Sequence, residues 1–193
     1  APEATDLGRR SAELGMAVGN LDPDHPDVPR FLTDVMTAVA AAFPNSAYIH
    51  IGGDEAFGMA GEKHAKFVEA AAATVASIGK KVVGWQEISR ARIGSGDIVQ
   101  YWLEPNETAQ LLEGGQLLMG MPEDIAEVLA GTFTDSLEDV PRALAQDAPL
   151  LVSLCPRLYL DRPHGDKADN PEQEADRRRV GLPVYPPSTL RDF

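Results

Sequence analysis

The sequence predicts an α/β fold in which parallel strands are covered by helices. Three observations carry this. Segments with a helical apolar period alternate with short apolar runs. Those runs have apolar residues at successive positions, the pattern of strands enclosed on both faces. Polar and aromatic residues then gather just after the runs, at the carboxyl ends where α/β sheets bind ligands. The chain has 193 residues, and a complete eight-unit barrel needs about 250. A small open sheet and part of a barrel are therefore the two architectures left.

The elements follow in order. Residues 21–27, rich in Asp and Pro, read as a loop that caps a helix. From Val28 the positions Phe31, Leu32, Val35, Met36, Val39 and Phe43 repeat with a helical period. Pro29 is tolerated in the first turn, and Pro44-Asn45 stops the helix. Residues 48–51 form a short apolar strand. A second helix over 62–78 puts Phe67, Val68, Ala71, Val75 and Ile78 on one face, with Gly79 as its stop. Strands follow at 81–85 and 98–102. A short helix at 106–113 and a possible strand at 116–120 come next. Helices at 122–130 and 136–145 follow, the second opened by Ser136 with Asp139 three residues on. A strand at 150–154 completes the pattern. The tail from Pro163 is polar, and Arg177-Arg178-Arg179 reads as a solvated patch. No internal repeat is evident, and residues 1–193 read as one domain.

Charge narrows the function. Lys plus Arg is 17 against 30 Asp plus Glu, a net charge of −13. Nucleic acids and anionic membrane surfaces need a basic footprint, so a neutral small molecule is the expected partner. The single cysteine, Cys155, lies in an apolar run and reads as a buried thiol. No stretch is apolar enough for a bilayer span. The opening Ala1-Pro2-Glu3-Ala4 reads as the interior of a longer sequence, without a signal peptide, and leaves the compartment open.

The chemistry centres on His50-Ile51-Gly52-Gly53-Asp54-Glu55. A strand that stops at two glycines uses them to turn or to admit a close approach. Two adjacent carboxylates then sit on the corner. Trp85 and Glu87 end the second strand, Tyr101-Trp102 the third, and Tyr159-Leu160-Asp161 follow the fourth. Aromatic walls with paired carboxylates suit a carbohydrate, because sugar C–H faces stack on indoles and acids act on the glycosidic oxygen. Each residue has a plainer reading. A tryptophan after a strand packs the core, Asp54 caps a helix, Glu87 is a solvated loop acid, and His50 is a hydrogen-bonded core histidine. His25, His64 and His164 have no metal-ligand spacing with His50 or one another. What favours the site is that all these residues fall on one end of the sheet.

The hexapeptide resembles the signature of family 20 glycoside hydrolases, the β-N-acetylhexosaminidases. Gly84-Trp85-Gln86-Glu87, Gln100-Tyr101-Trp102, Ser153 and Tyr159-Leu160-Asp161 resemble its later motifs in the same order. The resemblance runs from about Leu21 to the C-terminus. It implies a TIM-type (β/α)8 barrel, here incomplete and covering the middle to late β/α units. It implies an exo-β-N-acetylhexosaminidase with substrate-assisted retention, one of the exceptions to the two-carboxylate scheme. Glu55 would be the general acid/base and Asp54 would orient the acetamido group. Trp85, Trp102, Tyr159, Asp161 and Glu87 would contact the sugar, and His50 would support them. No cofactor and no metal is implied. Neighbouring side chains on an extended corner point in different directions, which would separate the two carboxyl roles. Their proximity should also raise one pKa and keep Glu55 protonated.

The family's early strands carry an arginine for the sugar hydroxyls, and its last strand a tryptophan and a glutamate; this sequence shows no equivalents. Residues 117–148 read as an extra helical excursion. Half a barrel exposes strand edges, so either self-association or a missing half is expected to cover them. A non-catalytic sugar-binding remnant is the alternative, and a metal-dependent hydrolase using His50, Asp54 and Glu55 a third reading.

Overall fold

The computed structural model describes residues 20–56, 59–104, 130–131, 134–154, 171 and 175. The chain divides into two compact units, Ala1–Leu151 and Val152–Phe193. The core and all but the last residue of the sheet described here belong to the first.

Helix α1 spans Val28–Ala42. The loop before it is a stack of local turns. The Asp22 carboxylate accepts the Asp24 N–H at 3.2 Å, and the His25 ring Nδ1 accepts that of Asp27 at 3.2 Å. Carbonyls of His25 and Asp27 then take the N–H groups of Val28 and Phe31. Pro29 costs nothing there, because a first-turn N–H has no helical partner. The apolar stripe Val28, Phe31, Leu32 and Met36 is buried, as its period requires.

Helix α2 spans Gly61–Ser77 and buries His64, Val68, Ala71 and Val75. Gly79 ends it with φ +80°, the left-handed stop for which glycine has no steric penalty. Lys63 ties the helix start back to the preceding loop, at 3.0 Å from Asp22 and 2.8 Å from Asp24.

Among the described residues, strands β1 (Tyr48–His50), β2 (Lys81–Trp85), β3 (Ile98–Tyr101) and β4 (Leu150–Val152) form one sheet in the order β1-β2-β3-β4. β1 runs parallel to β2, with His50 opposite Val83. β2 runs parallel to β3, with Trp85 opposite Gln100. The order decides between the two architectures left open by the sequence. A doubly wound sheet reverses its strand order and carries helices on both faces. Here each strand lies beside the previous one, the winding of a barrel wall.

Burial agrees. Ile49, Val82 and Val99 share one face and are nearly inaccessible; α1 and α2 contribute to the same core. The opposite face bears His50, Val83, Trp85, Ile98 and Gln100, each half-buried or exposed. The expected two-sided enclosure is therefore one-sided among the described residues. The apolar runs arise because Val83 and Ile98 occupy the face that a closed barrel turns to its interior.

A 3-10 turn, Gln86–Arg90, folds back directly from β2. Its Ile88 is fully buried and wedges between two glycines. A Cβ on Gly84 would lie 2.7 and 2.8 Å from Ile88 Cγ2 and Cδ1, and 3.1 Å from the Gly52 carbonyl. Gly84→Ala is expected to destabilise by about 1–3 kcal/mol through overpacking, read as a lowered thermal midpoint. Ile88→Ala removes both clashing atoms. The double variant should therefore lose less than the sum of the two single losses; strict additivity would refute the wedge.

Helix α3 spans Asp139–Ala145, not the expected 136–145. Pro141 has no N–H to give to the Leu137 carbonyl. A turn at Leu137-Glu138 intervenes, and the helix starts with Pro141 in its first turn. The expected elements at 106–113, 116–120 and most of 122–130 lie outside the described residues.

Candidate active site

The corner after β1 is strongly bent. Gly52 has φ +74°, Gly53 φ +100° and Glu55 φ +46°. The extended geometry expected for Asp54-Glu55 is therefore absent. For a glutamate this left-handed conformation is uncommon and strained, and such strain concentrates at functional sites. Gly53 is irreplaceable for a second reason: a Cβ there would lie 2.5 Å from Ile88 Cγ2.

Pairing with β2 carries the corner to its position. The Ile51 N–H donates to the Val83 carbonyl, and the Trp85 N–H donates to the Gly52 carbonyl, each at 2.9 Å. Trp85 thus sits beside the glycine turn that leads to the carboxylates. From below, the His64 ring on α2 approaches the Gly53 carbonyl with Nε2 at 2.8 Å. A carbonyl only accepts, so Nε2 bears the proton and Nδ1 is a bare acceptor. That Nδ1 is buried and has no partner. Burial accordingly holds the ring's pKa below the ordinary histidine value. A pocket of about 140 Å3 opens there, walled by Leu21, Asp54, Met59, His64 and Phe67 among others.

Above the sheet three rings adjoin. His50 and Trp85 meet edge to face with centroids 5.1 Å apart, and Trp85 and Trp102 do so at 6.4 Å. His50 is oriented by two hydrogen bonds. Its Nδ1 accepts the Gly52 N–H at 3.0 Å, so Nε2 carries the proton and donates to Gln100 Oε1 at 3.2 Å. His50 therefore braces both the glycine corner and β3.

The Glu55 carboxyl lies above the usual carboxylate range, first because protein withdraws it from water and second because Asp54 adds a like charge. The direction agrees with the expectation from adjacency. The larger cause is desolvation rather than the neighbouring charge.

Gln86 and Glu87, the second read from the sequence as a sugar contact or a solvated loop acid, open the 3-10 turn. Both side chains are buried, at 0% and 3% exposure. Gln86 Oε1 accepts the N–H groups of Trp102 at 3.1 Å and Leu103 at 2.9 Å. Its Nε2 donates to the Ser136 carbonyl at 3.3 Å. Glu87, expected to face the sugar, instead takes the Trp102 indole N–H on Oε2 at 3.3 Å. Beneath them Arg90 grips Asp139 in a fork, with Nε and Nη2 each at 2.8 Å, and Arg142 adds a third contact at 3.0 Å. Gln86 and His64 were not singled out by the sequence. For His64 the signal was there: it is four residues before Val68 and seven before Ala71, on the buried stripe. Tyr159 and Asp161 lie outside the described residues. No group of three metal-ligating side chains gathers among the described residues. No described helix is long and apolar enough to cross a membrane.

Burial pushes the Glu87 carboxyl up to about 7 from an ordinary 4.5. The folded chain therefore keeps a proton that the unfolded chain releases between those values. The sign follows: this contribution is fullest below about pH 4.5 and is lost as pH rises to about 7. The change is about 3 kcal/mol. Thermal midpoints of the chain and of Glu87→Gln should thus diverge through this window and run parallel above it. Parallel curves throughout would contradict the buried carboxyl.

Known proteins resemble this chain in the same terms. The profile of glycosyl hydrolase family 20, catalytic domain, matches residues 3–63. A β-N-acetylhexosaminidase of Cellulomonas fimi is 49% identical over 90 residues, covering 46% of this chain and 18% of the relative. The solved family 20 β-N-acetylhexosaminidase of Streptomyces coelicolor A3(2) superposes with TM-score 0.54 at 27% identity, over 79% of this chain and 25% of that one. Another β-N-acetylhexosaminidase, from Bacteroides fragilis NCTC 9343, has TM-score 0.55 at 19% identity, over 79% and 29%. At that identity it supports the fold alone. The chain spans about a quarter of the length of these solved proteins and less than a fifth of the curated relative. The winding, the profile match and these likenesses agree: the chain resembles a stretch of a family 20 glycoside hydrolase catalytic domain.

Proposed function

We propose that the chain supplies the acid and acetamido-binding part of an exo-β-N-acetylhexosaminidase acting on terminal N-acetylglucosamine or N-acetylgalactosamine. The observation that best supports this is the corner itself. A strained Glu55 with a raised carboxyl pKa follows Asp54 at a strand end, next to the Trp85–Trp102 wall.

In this reading hydrolysis has two steps. Protonated Glu55 gives its proton to the glycosidic oxygen as the bond to the anomeric carbon breaks. The substrate's own acetamido oxygen bonds to that carbon and forms an oxazolinium ion. Asp54 accepts the acetamido N–H and offsets the positive charge that develops there. Ionised Glu55 then takes a proton from water, whose oxygen attacks the anomeric carbon and reopens the ring. Configuration is retained. Trp85 and Trp102 wall the acetamido group, Tyr159 donates to its oxygen, and Asp161 contacts a sugar hydroxyl. His50 orients Trp85. Glu87 acts through Trp102 rather than on the sugar, since its carboxylate is buried.

A chromogenic N-acetylglucosaminide tests the proposal, with Glu55→Gln as control. Turnover that the substitution removes, together with binding of a thiazoline mimic of the oxazolinium, supports it. Thiazoline binding without turnover means a sugar-binding remnant. Neither binding nor turnover overturns the reading.

A further inference from the structure

We propose that Gln86 and Glu87 are positioning residues for Trp102, Gln86 by fixing the backbone beneath it and Glu87 by holding its indole through a hydrogen bond that follows the proton on Glu87. The proposal deepens the hexosaminidase reading and rests on it only for the identity of the sugar.

The chain leaves β3 at Tyr101, and the next two N–H groups point to one side-chain oxygen. Gln86 spends both lone pairs of Oε1 on them and its amide N–H on the carbonyl of Ser136. A fully buried amide bonded this way has no freedom to reorient. It sets where the backbone turns and therefore where the Trp102 ring begins. The indole is then held at its far end by Glu87 Oε2. With Trp85 against its edge, Trp102 is held at three points. A solvated loop acid would not do this.

An acid at this position makes the hold conditional. A charged acceptor binds an N–H about twice as strongly as a neutral one. Around Glu87 stand Arg90 on its own turn and Asp139 on α3, paired with Arg90 and Arg142. His64 on α2 senses the same Arg90–Asp139 pair. Because Arg90 is engaged in a fork with Asp139, its charge is largely compensated, and the indole N–H is the side-chain donor Glu87 uses. Loss of the Glu87 proton tightens Trp102; gain of the proton loosens it.

The chain has two tryptophans, so a 15N-labelled sample gives two indole N–H signals, and Trp85→Phe identifies that of Trp102. We expect the Trp102 signal to move in one transition with a midpoint near 7 across about pH 5 to 9. Glu87→Gln should abolish the movement while keeping the signal. Thiazoline affinity should change by about fivefold over the same range in the unmodified chain, the difference between charged and neutral acceptors, and be flat in Glu87→Gln. Gln86→Leu should displace the Trp102 signal at every pH. A Trp102 signal that does not titrate in the unmodified chain overturns the proposal without any variant having to fold. So does a transition that survives Glu87→Gln. A normal Trp102 titration with no response to the thiazoline supports the positioning and overturns the sugar reading instead.

Discussion

Glu55→Gln is expected to lower kcat by about 10²–10⁴-fold, the usual worth of a positioned general acid or base. Glutamine keeps the shape and the left-handed backbone cost of the site but has no proton to give. The loss should depend on the leaving group. A dinitrophenolate departs with little help, whereas a sugar alkoxide needs the proton, so the sugar substrate should suffer more. Equal losses on both would mean that the substitution had damaged the corner rather than removed an acid. The pH profile gives a second check. The carboxyl pKa is raised by desolvation and by Asp54. The first step uses the protonated form, so kcat/KM should fall as pH rises through the folded pKa. Glu55→Gln should erase that limb.

Arg90→Leu should destabilise by about 3–5 kcal/mol, the range for breaking a buried ion pair from one side. Asp139 is completely inaccessible and receives both forked contacts from Arg90. Arg142 remains at 3.0 Å but is itself 40% exposed and cannot replace the fork. For a chain of this size the thermal midpoint should fall by roughly 6–20 °C. Two comparisons separate the charge effect from lost packing. Arg90→Leu with Asp139→Leu should regain much of the loss, because no buried charge is left unpaired. The single variant should also lose less at acid pH, where Asp139 is neutral. A midpoint that hardly moves would show that Asp139 does not need this partner.

The local elements were readable because they are set by local patterns. The period through Phe31, Leu32 and Met36 located α1 to within a residue, and Gly79 marked the end of α2 by the left-handed turn it makes. Asp139 shows where such reading stops. As a residue three after Ser136 it matches a helix-opening box, yet its carboxylate turns inward to an arginine 49 positions away. Nothing local signals that partner. Glu87 is hard to read for a related reason. Polar residues after a strand point to a ligand site, but the 3-10 turn carries Gln86 and Glu87 to buried contacts with Trp102 that no local pattern signals. The corner at Asp54-Glu55 is marked by its glycines, while the close packing of Ile88 against Gly53 joins residues that the sequence does not connect.

The neighbour-by-neighbour strand order has a kinetic consequence. Each strand pairs with the one made just before it, so each pairing closes the shortest loop that this chain order allows. Parallel pairing is slow because the loop around each crossover must close before the strands meet, and the neighbour order keeps that cost as low as the topology permits. A nascent chain can dock β2 on β1 as soon as α2 has emerged, and β3 on β2 in turn, without waiting for distant sequence. The glycine–isoleucine wedge is complete once Ile88, just past β2, is in place, and it needs nothing from β3 or Trp102. The Asp54-Glu55 corner can thus be set without β3, and the Trp85–Trp102 pair is completed against a bend already in place.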